Sequence, residues 1–128
     1  MGQGFSLSVH PGSFAICQLM PGAPLPPWAL DGPFCSVTRT PDELSIVCAE
    51  SAVPPETAAD RGWRLLSVRG RMDLTLVGVL AGLSGTLARA GVSVFAISTY
   101  DTDHLLVRAE DLETATRALV AAGYGVGE

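Results

Sequence analysis

The sequence predicts an α+β chain in which an antiparallel sheet carries helices on one face. Three observations lead there: an internal repeat, a second half that alternates short β-rich runs with two amphipathic runs, and a first half whose matching crossover is broken by prolines. The repeat shows on self-comparison. Leu7-Ser8-Val9-His10 matches Leu66-Ser67-Val68-Arg69 at a shift of 59, and Phe34 to Leu44 matches Phe95 to Leu105 at a shift of 61, with Phe, Thr, Asp and Leu identical. Each half is therefore expected to hold a strand, a connection and a hairpin in which Thr leads the turn and Asp closes it. The halves divide as residues 1–62 and 63–128, and the strand at Trp63 is open to sharing between them.

In the second half, Trp63 to Val68 is a β-rich run between Gly62 and Gly70, which predicts a strand. Asp73 stands as an N-cap ahead of Leu76, Val77, Leu80, Leu83, Leu87 and Ala88 at helical spacing, and Gly91 ends that helix. Val92 to Ser98 is a second strand, Tyr100-Asp101-Thr102-Asp103 is turn chemistry, and Leu105 to Val107 is a third strand. Asp111 opens a helix with Leu112, Ala115, Leu119 and Val120 on one stripe, stopped by Gly123 before the strand-like Tyr124 to Val126. The order is βαββαβ, the split arrangement of ferredoxin-like units. The first half is a shortened version. Pro21 to Pro27 excludes a regular helix, because proline lacks the amide donor and clashes with the preceding turn, while Pro54 to Ala59 reads as a short helix with proline at its start.

Composition narrows the function. A chain of 128 residues makes one compact domain or two very small ones, and 48% hydrophobic against 16% charged residues indicates a folded globule. Thirteen acids against eight bases, with no lysine, leave no basic face for nucleic acid. The proline-interrupted start is unlike a signal peptide, and the apolar run Leu74 to Ala88 is shorter than the roughly 20 residues of a membrane span, so a cytoplasmic protein is expected. Cys17, Cys35 and Cys48 show no C-x-x-C and lie among apolar neighbours, which predicts buried thiols and no disulfide framework. His10 and His104 have no companions at ligand spacing, so no metal or other cofactor is expected. Gly78 and Gly82 form a G-x-x-x-G read as a close helix–sheet approach. Walker, G-x-S-x-G and strand-linked G-x-G-x-x-G motifs are all missing, and no spacing compels a thiol site from Cys48 with Glu50 or Cys17 with a histidine.

The stretch A-G-V-S-V-F-A-I-S-T-Y-D-T-D-H-L-L-V-R-A-E-D-L, from Ala90 to Leu112, resembles the ACT domains, small amino-acid-binding regulatory modules with the same element order. It is similar to the ACT repeats of the cytosolic arginine sensors upstream of the TOR kinase complex and to the effector-binding domains of aspartate kinases, where a similar I-S-T follows the second strand. The resemblance covers the second half and extends weakly over the first. It implies a ligand at an interface between ACT units, held by the helix start after the first strand and by the I-S-T segment. A helix N-terminus there would offer amides to an α-carboxylate, with Thr75 and Leu76 beside it. Backbone groups of Ser93 and Val94, the hydroxyls of Ser98 and Thr99, and Asp101 or Asp103 in the Tyr100-to-Asp103 turn would receive an ammonium or a cationic side chain. By position, Asp103 resembles the acid that holds the guanidinium in the arginine sensors. Turn chemistry alone explains Asp42 and Asp103 equally well. The expectation is a non-catalytic module that binds an amino acid, associates as a homodimer through ACT units and acts on an unknown regulated protein. The alternative is a protein-interaction scaffold without a ligand.

Overall fold

A computed structural model describes residues 5–72 and 75–128. In chain order these residues form strands β1 (Ser6–Val9) and β2 (Phe14–Leu19), a 3-10 segment at Pro27–Leu30, strands β3 (Cys35–Arg39) and β4 (Leu44–Ala49) and a 3-10 segment at Glu50–Ala52. Strand β5 (Ala59–Val68), helix α1 (Val79–Arg89), strands β6 (Val94–Ser98) and β7 (Asp103–Arg108), a 3-10 segment at Ala109–Asp111, helix α2 (Leu112–Ala121) and strand β8 (Gly125–Gly127) complete the order. They group into two compact units. The first is Gly12–Trp63, and the second takes the described residues of Met1–Pro11 and Arg64–Glu128. Strand β5 is shared: its start pairs within the first unit and its end within the second. No helix among the described residues is long and apolar enough to cross a membrane.

In the second unit the strands run in the order β6-β7-β5-β1-β8. Taken along the chain from β5, that is second, third, first and fourth, the ferredoxin-like order, with β1 inserted between first and fourth. The sequence reading placed residues 1–11 with the first repeat; here β1 pairs antiparallel with β5, Leu7 opposite Val68, and parallel with β8. Burial explains the insertion, because Leu7 is fully enclosed in a core with Leu66, Val68, Leu105 and Val107 from the sheet. Leu83 and Leu87 of α1 and Ala115 and Leu119 of α2 close that core from one face. Each fully buried leucine contributes about 1.5–3 kcal/mol. Both helices end where their glycines predict, at Gly91 and Gly123, with the amides of Val92 and Tyr124 donating back to Leu87 O (2.9 Å) and Leu119 O (3.0 Å).

The first unit has the same order, β3-β4-β2-β5, antiparallel throughout. Its core is smaller: Ala15, Cys17, Leu44, Ile46 and Cys48, covered by Ala29 of the first 3-10 segment and by Val53. The proline-rich crossover carries no α-helix, as its composition requires. The short helix expected at Pro54 to Ala59 is a turn instead, closed by Thr57 N donating to Pro54 O at 3.1 Å and held by the Arg61 guanidinium on Pro54 O (3.1 Å) and Thr57 O (3.3 Å). The Arg61 guanidinium takes the Pro54 and Thr57 carbonyls, the segment continues into β5 at Ala59, and the 3-10 segment forms upstream at Glu50–Ala52.

The repeat is more regular than the sequence match implied. Adding 59 to the bounds of β3, β4 and the 3-10 segment after them reproduces β6, β7 and theirs residue for residue. Both hairpins close the same way, Thr40 N to Glu43 O and Thr99 N to Thr102 O, each at 2.9 Å. The shift of 61 is therefore corrected to 59. Asp101 is the counterpart of Asp42, and Asp103 is the counterpart of Leu44. Threonine leads both turns, but the turn-closing role given to aspartate falls to threonine: Thr40 Oγ1 accepts from the amides of Asp42 (3.1 Å) and Glu43 (3.2 Å). The burial expected of all three thiols holds for Cys17 and Cys48 and fails for Cys35, which is exposed on the edge strand β3.

Candidate functional site

Within the second unit a cavity of about 280 Å³ lies between the start of α1 and the β6–β7 turn. Met72, Leu76, Val79 and Leu80 line one side, and Ser98, Thr99, Asp101, Thr102 and Asp103 line the other, with Gly78 and Ala81 at the helix end.

The helix end differs from the sequence expectation. The periodicity counted Leu76 and Val77 as helical, yet they precede the helix and are 50% and 95% exposed. Gly78 sits at the N-cap with φ +86°, a left-handed conformation that interrupts a helix, and α1 starts at Val79. The expected N-cap, Asp73, and the expected start at Leu74 lie outside the described residues. Gly82 N donates to Gly78 O at 2.9 Å. The amides of Val79, Leu80 and Ala81 come before that bond, have no helical carbonyl to receive them, and give the helix end a partial positive charge.

The opposite wall carries the negative charge. Ser98 and Asp103 face each other across β6 and β7, and Ser98 Oγ donates to Asp103 Oδ1 at 2.6 Å. Asp103 is 6% exposed. It occupies the first position of a strand, where alternation turns it toward the helix-covered face shared by Leu105 and Val107. Asp101 is exposed on the turn, 3.4 Å from Arg71 Nε, and its carbonyl accepts from Met72 N at 2.6 Å. Thr102 Oγ1 donates to Val68 O at 2.9 Å and ties the turn to β5.

Of the sequence-predicted residues, Leu76, Ser98, Thr99, Asp101 and Asp103 come together in this cavity. Thr75, Ser93, Val94 and Tyr100 do not line it. Ser93 and Val94 lie at the far end of β6 from Ser98, roughly 13–17 Å along a strand rising about 3.3 Å per residue. Tyr100 is exposed, with the Arg71 guanidinium 5.1 Å from its ring centre. Met72, Gly78, Val79, Leu80, Ala81 and Thr102 were missed by the sequence reading. Gly78, inside the apolar run, was the available signal for the true helix start. On the other face of the sheet, the Ser67 hydroxyl bridges His10 Nε2 (2.8 Å) and His104 Nδ1 (2.6 Å), and burial lowers the pKa of both histidines.

The first unit has a topological counterpart, a more open recess of about 530 Å³ lined by Gln18, Met20, Pro21 and Asp42 among others. Its chemistry differs. Leu44 replaces Asp103, and Arg39, at the position of Ser98, donates to Pro21 O (2.7 Å) and Ala23 O (2.8 Å), clamping the segment that stands where the helix would start.

The ACT-domain family model matches residues 58–121, and a second model, described as an N-terminal domain, matches residues 12–56. The human protein CASTOR3P is 29% identical over 99 residues, covering 67% of this chain. The chain thus spans 61% of that relative's length. The structure of protein Atu0741 from Agobacterium tumefaciens superposes with a TM-score of 0.91 at 37% identity, covering 97% of this chain and 93% of that one. The ligand-free regulatory subunit of aspartate kinase from Thermus thermophilus shares the fold, with a TM-score of 0.60 at 15% identity over 95% of this chain and 99% of that one.

Proposed function

The chain belongs to the ACT-domain family of regulatory modules, and from that premise we propose that it binds a free amino acid in the cavity between α1 and the β6–β7 turn, with no catalytic task. The observation that carries this reading is the opposite polarity of the two walls. The amides at the start of α1 that precede its first helical bond suit an α-carboxylate, and the buried Asp103, oriented by Ser98, suits an ammonium or a cationic side chain. A volume of about 280 Å³ admits one small zwitterion and little more. Thr99 and Thr102 supply further hydroxyls on the acidic wall.

In this reading residues 63–128, completed by β1, are the binding ACT unit, and the remainder of residues 1–62, from Gly12 on, is a degenerate ACT-like repeat. Clamped by Arg39 and lacking the buried acid, that repeat takes no effector, so one ligand binds per chain. Leu76 on the cavity rim and the neighbouring Val77 are exposed apolar side chains that a second copy would cover, which supports a homodimer through ACT units. In such a dimer Thr75, Ser93, Val94 and Tyr100 would act at the interface between units. The cytoplasm is the proposed compartment, and a regulated protein the proposed recipient of the signal.

A thermal-shift panel of the twenty L-amino acids at millimolar concentration tests this, on wild type and on Asp103→Asn. Ligand at about 100 times its Kd adds roughly 2.7 kcal/mol, several degrees for a chain of this size. A rise confined to one or a few amino acids, and lost in Asp103→Asn, is expected. A flat panel, once mass spectrometry of denatured protein has excluded a co-purified ligand, overturns it. The same exposed Leu76 and Val77 would then favour the second reading, a structural dimer that serves as an interaction scaffold.

A further inference from the structure

All three cysteines of the chain lie on one face of the first unit's sheet, on the adjacent strands β3, β4 and β2. Cys35 and Cys48 are directly opposite each other, and Cys17, opposite Ile46, is the diagonal neighbour of Cys48. The type of the Cys35–Cys48 pair follows from the turn. Thr40 N donates to Glu43 O, making that a hydrogen-bonded pair. Types alternate along an antiparallel ladder. Counting outward, Arg39–Leu44 is non-bonded, Thr38–Ser45 bonded, Val37–Ile46 non-bonded, Ser36–Val47 bonded and Cys35–Cys48 non-bonded. Cα atoms in such a pair are about 4.5 Å apart, within the roughly 4.4–6.8 Å that a disulfide spans. The Cys17 and Cys48 thiols touch through a hydrogen bond, but their diagonal Cα spacing of about 7–8 Å lies beyond the span of a disulfide, which leaves Cys35 as the partner that can close on Cys48.

Exposure divides the roles. Cys35 is open to solvent, and Cys48 is buried. We propose that Cys35 and Cys48 form a thiol modification site for low-molecular-weight disulfides, with Cys35 as the entry thiol and Cys48 as the resolving thiol. The Cys35 thiolate attacks one sulfur of the small disulfide, forming a mixed disulfide and releasing one small thiolate. The Cys48 thiolate then attacks Cys35 Sγ, forming the protein disulfide and releasing the second thiolate. Two protein thiols are oxidised, one small disulfide is reduced to two thiols, and the two protons go to the released thiolates. The closed form staples the edge strand β3 to β4. Burial and the neighbouring thiols push the Cys48 thiol up to about 12, so closure is the slow step and quickens with rising pH. Among the described residues no group of three His, Cys, Asp or Glu side chains has the placement to hold a metal ion, which favours thiol exchange over metal capture at this cluster.

The test is oxidised glutathione added to the purified full chain at mildly alkaline pH, with timed acid quenching and intact-mass spectrometry. Wild type is expected to gain one glutathione, then lose it and end two hydrogens lighter, with peptide fragmentation placing the link at Cys35–Cys48. Cys35→Ser is expected to show neither species, and Cys48→Ala to keep the adduct. Circular dichroism checks the fold of both variants, and the wild-type fragmentation map decides alone should Cys48→Ala fail to fold. A wild-type reaction that stops at the adduct, a link to Cys17, or no reaction at Cys35 overturns the proposal.

Discussion

Replacing Asp103 by leucine, the residue its repeat counterpart carries at position 44, separates stability from binding. Leu44 is fully buried and Asp103 is 6% exposed, both at the first position of equivalent strands. The substitution removes a buried carboxyl group that accepts a hydrogen bond from the Ser98 hydroxyl. Ser98 is exposed, so its freed hydroxyl hydrates and leaves no buried donor unpaired. The extra volume of leucine faces the cavity of about 280 Å³ rather than packed atoms. Full burial of leucine is worth about 1.5–3 kcal/mol, and this site gives part of it. Replacing a whole buried ion pair by apolar residues ranges from neutral to about 4 kcal/mol stabilising, and a single carboxyl group bonded to a neutral hydroxyl takes a share of that, so a net gain of about 1–2 kcal/mol is expected. In a chain of this length that raises Tm by roughly 3–8 °C. The assay is differential scanning fluorimetry of Asp103→Leu and wild type, alone and with the amino acid giving the largest wild-type shift. Asp103→Leu should melt higher and show no ligand response, because stability is gained where function is lost. A lower Tm would refute the reasoning that leucine gains more from burial here than the carboxyl group gives, and a retained response would remove Asp103 from the site.

The histidine pair makes stability depend on pH. Burial is the main cause lowering both His10 and His104, with His10 adding to the effect on His104 and Asp103 opposing it. Below the ordinary histidine value of 6.5 the unfolded chain therefore binds more protons than the folded one, and stability falls as pH drops through 6.5 toward the lowered folded values. Urea midpoints measured from pH 7.5 to 5.5 should decline, and should decline less in a His10→Gln/His104→Gln double variant; equal slopes would refute the assignment. Gly78→Ala tests the N-cap of α1. Among the described residues no heavy atom beyond the adjoining backbone lies within 4 Å of the added Cβ, so the loss is conformational, from the φ of +86°. It should amount to about 1–2 kcal/mol in urea denaturation, and an unchanged midpoint would mean the helix starts elsewhere.

The parts of the fold legible in the sequence are those set by short-range rules. Alternation and threonine turn chemistry located the β6–β7 hairpin, the stripe Leu112, Ala115 and Leu119 located α2, and Pro21 to Pro27 excluded a helix from the first crossover. Misreadings occurred where a local pattern admits two structures. Leu76 and Val77 fit helical spacing, but the left-handed Gly78 places them outside α1. Pro54 suits a helix start, yet the segment forms only a turn before it continues into β5. Apolar neighbours suggested burial for Cys35, but β3 is an edge strand, and edge position is invisible in a local window. For the candidate site, Ser98, Thr99, Asp101 and Asp103 were legible because they cluster on one turn, whereas Met72, Val79 and Leu80 reach it only through packing.

The sequence by itself determined the element types, the repeat, and the acidic turn, since each depends on side-chain chemistry within a few residues. Tertiary structure decided which contacts count. It inserted β1 beside β5 and β8, because Leu7 is buried only there, and it corrected the repeat to an offset of 59, because strand pairing fixes register where sequence identity does not. That correction gave Asp103 a buried strand position facing a helix end in one unit while its counterpart became Leu44 in the other. The charge of the site comes from the sequence, and its enclosure comes from the pairing of strands far apart in the chain.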